Sequence, residues 1–374
     1  MKLLENLPFD LPIKGTIIKM ELKSGWKGLL IFAFLALLLT ASMPQMYPMF
    51  KESFESPLEG EEFVNLTLPA TTPGTAILSW MELPTATSYT VYSSDLLVMV
   101  PSQTVYSGTD TQYQFTYQGD QNSYYAVTAT GPATGEALIG MATTNATKNP
   151  FDAMLDNPAY TSFTGGYDLD ITDPAGFLSM YAFSWWWFVG GIYIAFLAAN
   201  MMTTDFETQR LDLLFSTPIS RRQYLLEKFF ALSFIGLFII LLSIIGLLIG
   251  ISSVADLSAS LGAGEAFFSF FGAFPLLLTI SATGILFGVF FKKGRIAIGA
   301  NIGLLVFEFL MYSFSGVAEA LDPLKYASIF YYWDYNKVLI DKGFDIGGFL
   351  ILTVLSIAIL SLAIFYFEKK DIPN

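Results

Sequence analysis

Histidine and cysteine are both absent from the 374 residues. That removes thiolate and imidazole zinc sites, Cys or His nucleophiles and a Ser-His-Asp triad. Without cysteine, the redox compartment cannot be read from the chain. No Gly-x-x-x-x-Gly-Lys-Ser/Thr loop is present to cradle nucleotide phosphates. No catalytic, cofactor-binding or metal-ligating set is therefore expected. What remains is charge beside apolar surface, and it gathers in one stretch, residues 205–228. There Glu207, Arg210, Arg221 and Arg222 can make charge-assisted contacts, while Leu213, Leu214 and Phe215 can pack on a partner. Leu211, Leu214 and Phe215 share a helical face. Thr217-Pro218 should stop that helix. Ser220 should cap the next one, with Gln223 completing a capping box. The pattern predicts a compact helical elbow. The bland reading of Arg221 and Arg222 is that they only hold membrane orientation.

Such an elbow needs elements to carry it. The chain is 53% hydrophobic and 14% charged, with a mean hydropathy of +0.54, where a soluble domain is about a quarter charged. A bilayer core takes roughly 20 apolar helical residues. Five stretches long enough contain no charge: Gly28–Phe50, Pro174–Thr204, Phe229–Ala255, Ala266–Phe291 and Ile346–Phe367. A sixth, Ile296–Ala318, is broken only by Glu308. That carboxylate is an intramembrane candidate for touching substrate or a coupled cation; a structural hydrogen bond is the alternative. Gly246-x-x-x-Gly250, Gly284-x-x-x-Gly288 and Gly299-x-x-x-Gly303 are expected to pack helices within the bundle. Lys and Arg concentrate before the first stretch, between the second and third, between the fourth and fifth, and after the sixth, so both termini are expected to be cytoplasmic. Trp185, Trp186 and Trp187 are expected at the outer headgroup level as an aromatic belt. Ile13, Ile17 and Met20, interleaved with lysines, suggest an interfacial lead-in helix.

The net charge of -13 argues against nucleic acid as a partner. All of that excess falls between Gln45 and Gly176, where 15 acids meet only Lys51 and Lys148. Strands are expected within this block at Glu62–Leu68, Thr75–Glu82, Thr87–Ser93, Leu96–Val100, Thr111–Tyr117, Ser123–Thr130 and Glu136–Thr143. Seven short strands with Pro and Gly turns predict a β-sandwich. Trp80 on one strand, Tyr89-Thr90-Val91 on the next and Tyr125-Ala126-Val127-Thr128-Ala129 later resemble a fibronectin type III module. Another sandwich of similar order is the alternative. Asn65-Leu66-Thr67 and Asn145-Ala146-Thr147 are glycosylation sequons, or chance matches.

The 205–228 stretch resembles the signature of ABC type-2 permeases. Leu213-Leu214, Pro218-Ile219-Ser220-Arg221 and Lys228 match, with Asp205 or Glu207 as the acid. The family's Gly-Thr step falls near Gln209-Arg210 and is absent, which leaves the helix path open. The resemblance implies that Glu207, Arg210, Leu213, Leu214, Pro218, Ser220, Arg221 and Arg222 form a coupling elbow for a separate ATPase subunit, which would use ATP and Mg. It also implies a second permease subunit, identical or related. The expected fold is an α-helical integral membrane protein of six transmembrane helices, with an extracellular all-β sandwich inserted between the first and second spans.

The expected boundaries are a cytoplasmic and interfacial lead-in at 1–25, spans at 26–47, 177–204, 228–252, 264–291, 296–319 and 346–367, and an extracellular region at 48–176 with its sandwich at 60–147. The elbow is expected at 205–227, an extracellular aromatic link at 320–345 and a cytoplasmic tail at 368–374. The expected function is the permease subunit of a plasma-membrane exporter moving an amphiphilic or lipid-like substrate outward. The alternatives are a membrane-anchored adhesion or sensing protein, and an ATP-independent channel or carrier.

Overall fold

The structure is a computed structural model describing residues 15–51, 64–69, 73–84, 86–94, 102–117, 123–131, 135–144, 167, 169, 173–216, 219–291, 293–315 and 319–369. It divides into two compact units, Pro48–Tyr160 and the remainder, Met1–Tyr47 with Thr161–Asn374.

The larger unit is helical. Its helices are α1 (Thr16–Ser42), α2 (Pro174–Leu178), α3 (Ser184–Glu207), α4 (Arg210–Phe215), α5 (Arg221–Ser252), α6 (Ala255–Ser260), α7 (Ala263–Phe271), α8 (Ala273–Phe291), α9 (Gly294–Ser315), α10 (Tyr335–Leu339) and α11 (Ile346–Lys369). A π-helical turn, Ser179–Phe183, joins α2 to α3. Six stretches among the described residues are long and apolar enough to cross a membrane: Thr16–Lys51, Pro174–Glu207, Arg221–Ser252, Ala263–Phe291, Gly294–Ser315 and Ile346–Lys369. Even the 22 residues of α9 reach about 33 Å at 1.5 Å per residue, enough for a hydrocarbon core of about 30 Å.

In lipid the apolar faces gain little from each other, so helices associate through close backbone approach and hydrogen bonds. Gly250 of α5 lies against the end of α1: a Cβ there would sit 2.6 Å from Pro44 Cγ and 2.8 Å from the Ala41 carbonyl oxygen. A Cβ on Gly246 would collide with Thr40 Oγ1 and the Leu37 carbonyl. Gly284 and Gly288 of α8 meet Ala198 and Met202 of α3 in the same way. Asn301 of α9 adds a polar stitch, donating to the Ala195 carbonyl at 2.9 Å and accepting from Thr283 Oγ1 at 2.9 Å. The third glycine pair differs from expectation. A Cβ added at Gly299 or Gly303 would meet nothing within 4 Å among the described residues, so neither glycine packs against a described helix of this bundle.

Two other expectations change. The described residues of the lead-in, from Gly15 onward, are the opening turns of α1, continuous with its apolar stretch. Ile17, Ile18 and Glu21 are buried there, which explains why these turns stay with the bundle. Of the three tryptophans, only Trp185 is exposed. Trp187 is buried, and Trp186 donates its indole N–H to Ser243 Oγ of α5 at 2.9 Å. These two are packing residues.

After α9 the chain folds back. Two 3-10 segments, Glu319–Ala327 and Ile329–Tyr332, return beside α9, and Ser328 Oγ donates to the Glu308 carbonyl at 2.8 Å. Glu308 lies seven residues before the end of α9, about 10 Å along the axis. Phe330 packs on Phe309 and Trp187, with ring centroids 5.5 and 5.1 Å away.

The smaller unit is a β-sandwich. Strands β1 (Val64–Thr67), β2 (Gly74–Trp80) and β5 (Gln112–Tyr117) form one antiparallel sheet in the order β1-β2-β5. Strands β3 (Ser88–Ser94), β4 (Gln103–Gly108), β6 (Tyr124–Gly131) and β7 (Gly135–Thr143) form the other, ordered β4-β3-β6-β7. Leu78, Trp80, Tyr89, Val91, Tyr125, Val127 and Ala129 form its core. The strand expected at Leu96–Val100 lies outside the described residues. The edge neighbour of β3 is Gln103–Gly108, where only Val105 and Tyr106 pack against the core; two adjacent apolar residues among Gln, Thr, Ser and Gly show no strand alternation for hydrophobic patterning to find.

Candidate functional site

The site grows from the junction between α3 and α5. α3 ends at Glu207, and Gln209 then takes φ +55°. This left-handed turn redirects the chain into the six-residue α4. Glycine adopts that conformation without strain, so the position where the family motif carries a Gly step does require an unusual backbone. Ser220 Oγ accepts from the Gln223 N–H at 3.1 Å and caps α5. The Gln223 amide does not return to complete a capping box. It donates to Glu227 Oε1 at 2.8 Å.

Glu227 is fully buried, and its carboxylate accepts from the Gly15 N–H at 3.1 Å and the Ile17 N–H at 2.7 Å. It therefore closes the N-terminus of α1, where negative charge suits the helix dipole. The next residue, the fully buried Lys228, pairs with Glu21 Oε1 of α1 at 2.7 Å and Asp205 Oδ2 of α3 at 2.7 Å. Its ammonium also donates to the Met201 carbonyl at 2.6 Å. Tyr224 donates its hydroxyl to Asp205 at 2.7 Å. The first three spans are thus tied by one buried ionic knot.

The expected elbow residues divide by direction. Glu207 Oε1 accepts from the Gly294 N–H at 2.8 Å, capping α9. Arg221 Nη1 donates to the Phe367 and Glu368 carbonyls at 3.1 and 3.3 Å, at the C-terminus of α11. An acid at a helix start and a base at a helix end both match the dipole. Both side chains therefore make contacts within this chain. Arg210, Ser220 and Arg222 are exposed, Leu214 and Phe215 half-buried, and Leu211 buried. Pro218 and the side chain of Leu213 lie outside the described residues. Beneath α4 is an aromatic cluster in which Phe367 lies 6.1 Å from Phe215, 6.1 Å from Phe206 and 5.9 Å from Tyr224, centroid to centroid.

A family model described as ABC-2 family transporter protein matches residues 18–372. The chain belongs to the ABC-2 transporter family. No curated protein and no solved structure matches it. The ABC-2 family is one of membrane transport components, and the match covers the elbow as well as all six apolar stretches.

Two further candidates of this ABC-2 chain stand away from the elbow. Glu308 is half-buried on α9. Asn65 lies at an exposed position of β1, and Asn145 lies outside the described residues. Sequence reasoning passed over Glu21 and Glu227, whose contacts across the α1–α5 junction join residues more than 200 positions apart. It also passed over Phe367, which reads as one more apolar residue of a span. The one local signal was a group of charges, Asp205, Glu227 and Lys228, on the flanks of long apolar stretches.

Proposed function

We propose that this chain is the permease half of an exporter driven by a separate ATPase subunit that hydrolyses Mg-ATP and docks on the elbow. The carrying observation is α4 itself. This short helix hangs beneath a knot where side chains of residues 205–228 close the ends of α1, α9 and α11. A push on α4 therefore reaches several spans at once. The lysine and arginine distribution supports cytoplasmic termini, an extracellular sandwich and a plasma-membrane location. Trp80 and Tyr125 in the sandwich core suit a fibronectin type III-like module. The exposed small residues Gly299 and Gly303 of α9 suit a second permease copy, because symmetric dimers are the commonest assembly. An amphiphilic or lipid-like substrate suits a surface where Phe307 and Leu310 are exposed beside half-buried Glu308.

The division of the arginines supplies the test. Arg222→Glu and Leu214→Asp should each weaken co-purification of the ATPase by about tenfold, or 1.4 kcal/mol, while the permease inserts and folds as before. Arg221→Glu should instead lower the thermal stability of the permease, since it opposes helix-end carbonyls. Arg222→Glu and Leu214→Asp permeases that bind their ATPase and transport like the parent would refute the docking role.

A further inference from the structure

We propose that Phe367, in the last turn of α11, is the positioning residue through which the elbow moves the sixth span. This rests on the coupling reading above and assigns its route. Phe367 is completely buried although it lies two residues before the end of the last described helix. Its ring packs beside one aromatic residue from each of three elements: Phe206 of α3, Phe215 of α4 and Tyr224 of α5. The Arg221 guanidinium lies 5.8 Å from the same ring and holds the Phe367 and Glu368 carbonyls. The ring transmits compression from α4, and the guanidinium resists withdrawal. Together they form a clasp that works in both directions along the α11 axis.

The rest of α11 is built to follow. Only 28% of its apolar window is buried, against 61% and 56% for the second and third spans. The sixth span is peripheral and its neighbours are central. Of the three spans that contribute rings to this cluster, α11 is the least enclosed; the first and fifth spans, at 22%, bring no ring to it. Tyr224 also links the clasp to Asp205 and hence to Lys228, so the aromatic cluster and the ionic knot move together.

The chain contains no cysteine, so a nitroxide pair can be introduced directly. Trp185 and Ile346 are both exposed and stand at the ends of α3 and α11 remote from the elbow. The permease–ATPase complex, labelled at Trp185→Cys and Ile346→Cys in lipid nanodiscs, should change its inter-label distance on adding ATP and vanadate. Phe367→Ala should abolish that change while the ATPase stays bound and ATP hydrolysis per complex persists. A merely structural role would lower all three together. If Phe367→Ala does not fold, Arg221→Gln, which leaves the rings in place, should diminish the change. A change of parental size in either variant, or loss of the bound ATPase along with it, overturns the proposal. If no ATPase co-purifies with the parent, the coupling reading has failed first and the proposal falls with it.

Discussion

Gln209 shows how one residue carries a constraint that its type conceals. At φ +55° an L-residue incurs about 1–2 kcal/mol that glycine avoids. Glycine returns about half of this through greater freedom in the unfolded chain. Gln209→Gly should therefore raise stability by about 0.5–1 kcal/mol, read as a higher unfolding midpoint in detergent. Gln209→Val should lower it, because β-branching disfavours the left-handed region. A midpoint that falls for Gln209→Gly would mean that the glutamine side chain supplies more than its backbone strain removes. Lys228 presents the opposite case. A buried cation with two carboxylate partners stabilises little in net terms. Removing it alone would leave Glu21 and Asp205 facing each other, a loss of the kind that costs about 3–5 kcal/mol.

Among the elements, the glycine pairs separate contacts inside the bundle from those beyond it. Gly246→Leu would drive a side chain into Thr40 and the Leu37 carbonyl, and overpacking of this kind costs about 1–3 kcal/mol. A Cβ at Gly303 meets nothing within 4 Å among the described residues, so Gly303→Leu projects from an open face. The first variant should lose thermal stability as an isolated permease. The second should fold normally and shift the two-copy assembly toward monomer in light scattering. A Gly303→Leu protein that unfolds would place that glycine in the bundle after all. The two faces cannot be told apart from the sequence, because all three pairs share one spacing. The six apolar helices and the sandwich between the first two were legible, since uninterrupted apolar length and strand alternation are local properties. The short helix α4 and the Ser220 cap of α5 were legible too, from the apolar spacing of Leu211, Leu214 and Phe215 and from the residue type at 220. The engagement of Glu207 and Arg221 with helix ends was not, because each end lies far away in the chain. The edge strand Gln103–Gly108 was missed because its core contacts come from two adjacent residues, Val105 and Tyr106, and not from an alternating pattern.

For the molecule as a whole, Glu227 closing the N-terminus of α1 has a consequence in the order of biosynthesis. Glu21 and Lys228 are 207 residues apart. At a synthesis rate of about 5–20 residues per second, roughly 10–40 s separate their emergence. During that interval the first helix has neither its cap nor its ammonium partner, and the whole acidic sandwich is made before either arrives. The first span is then an unfinished part awaiting a piece encoded far downstream. Ribosome-stalled chains ending before residue 220 should leave a cysteine placed at Ile17 open to thiol reagents. Chains extending past the third span should protect it. Equal protection at both lengths would show that α1 completes its packing without α5. The opening turns of α1 would therefore be among the last parts of the larger unit to acquire their final neighbours.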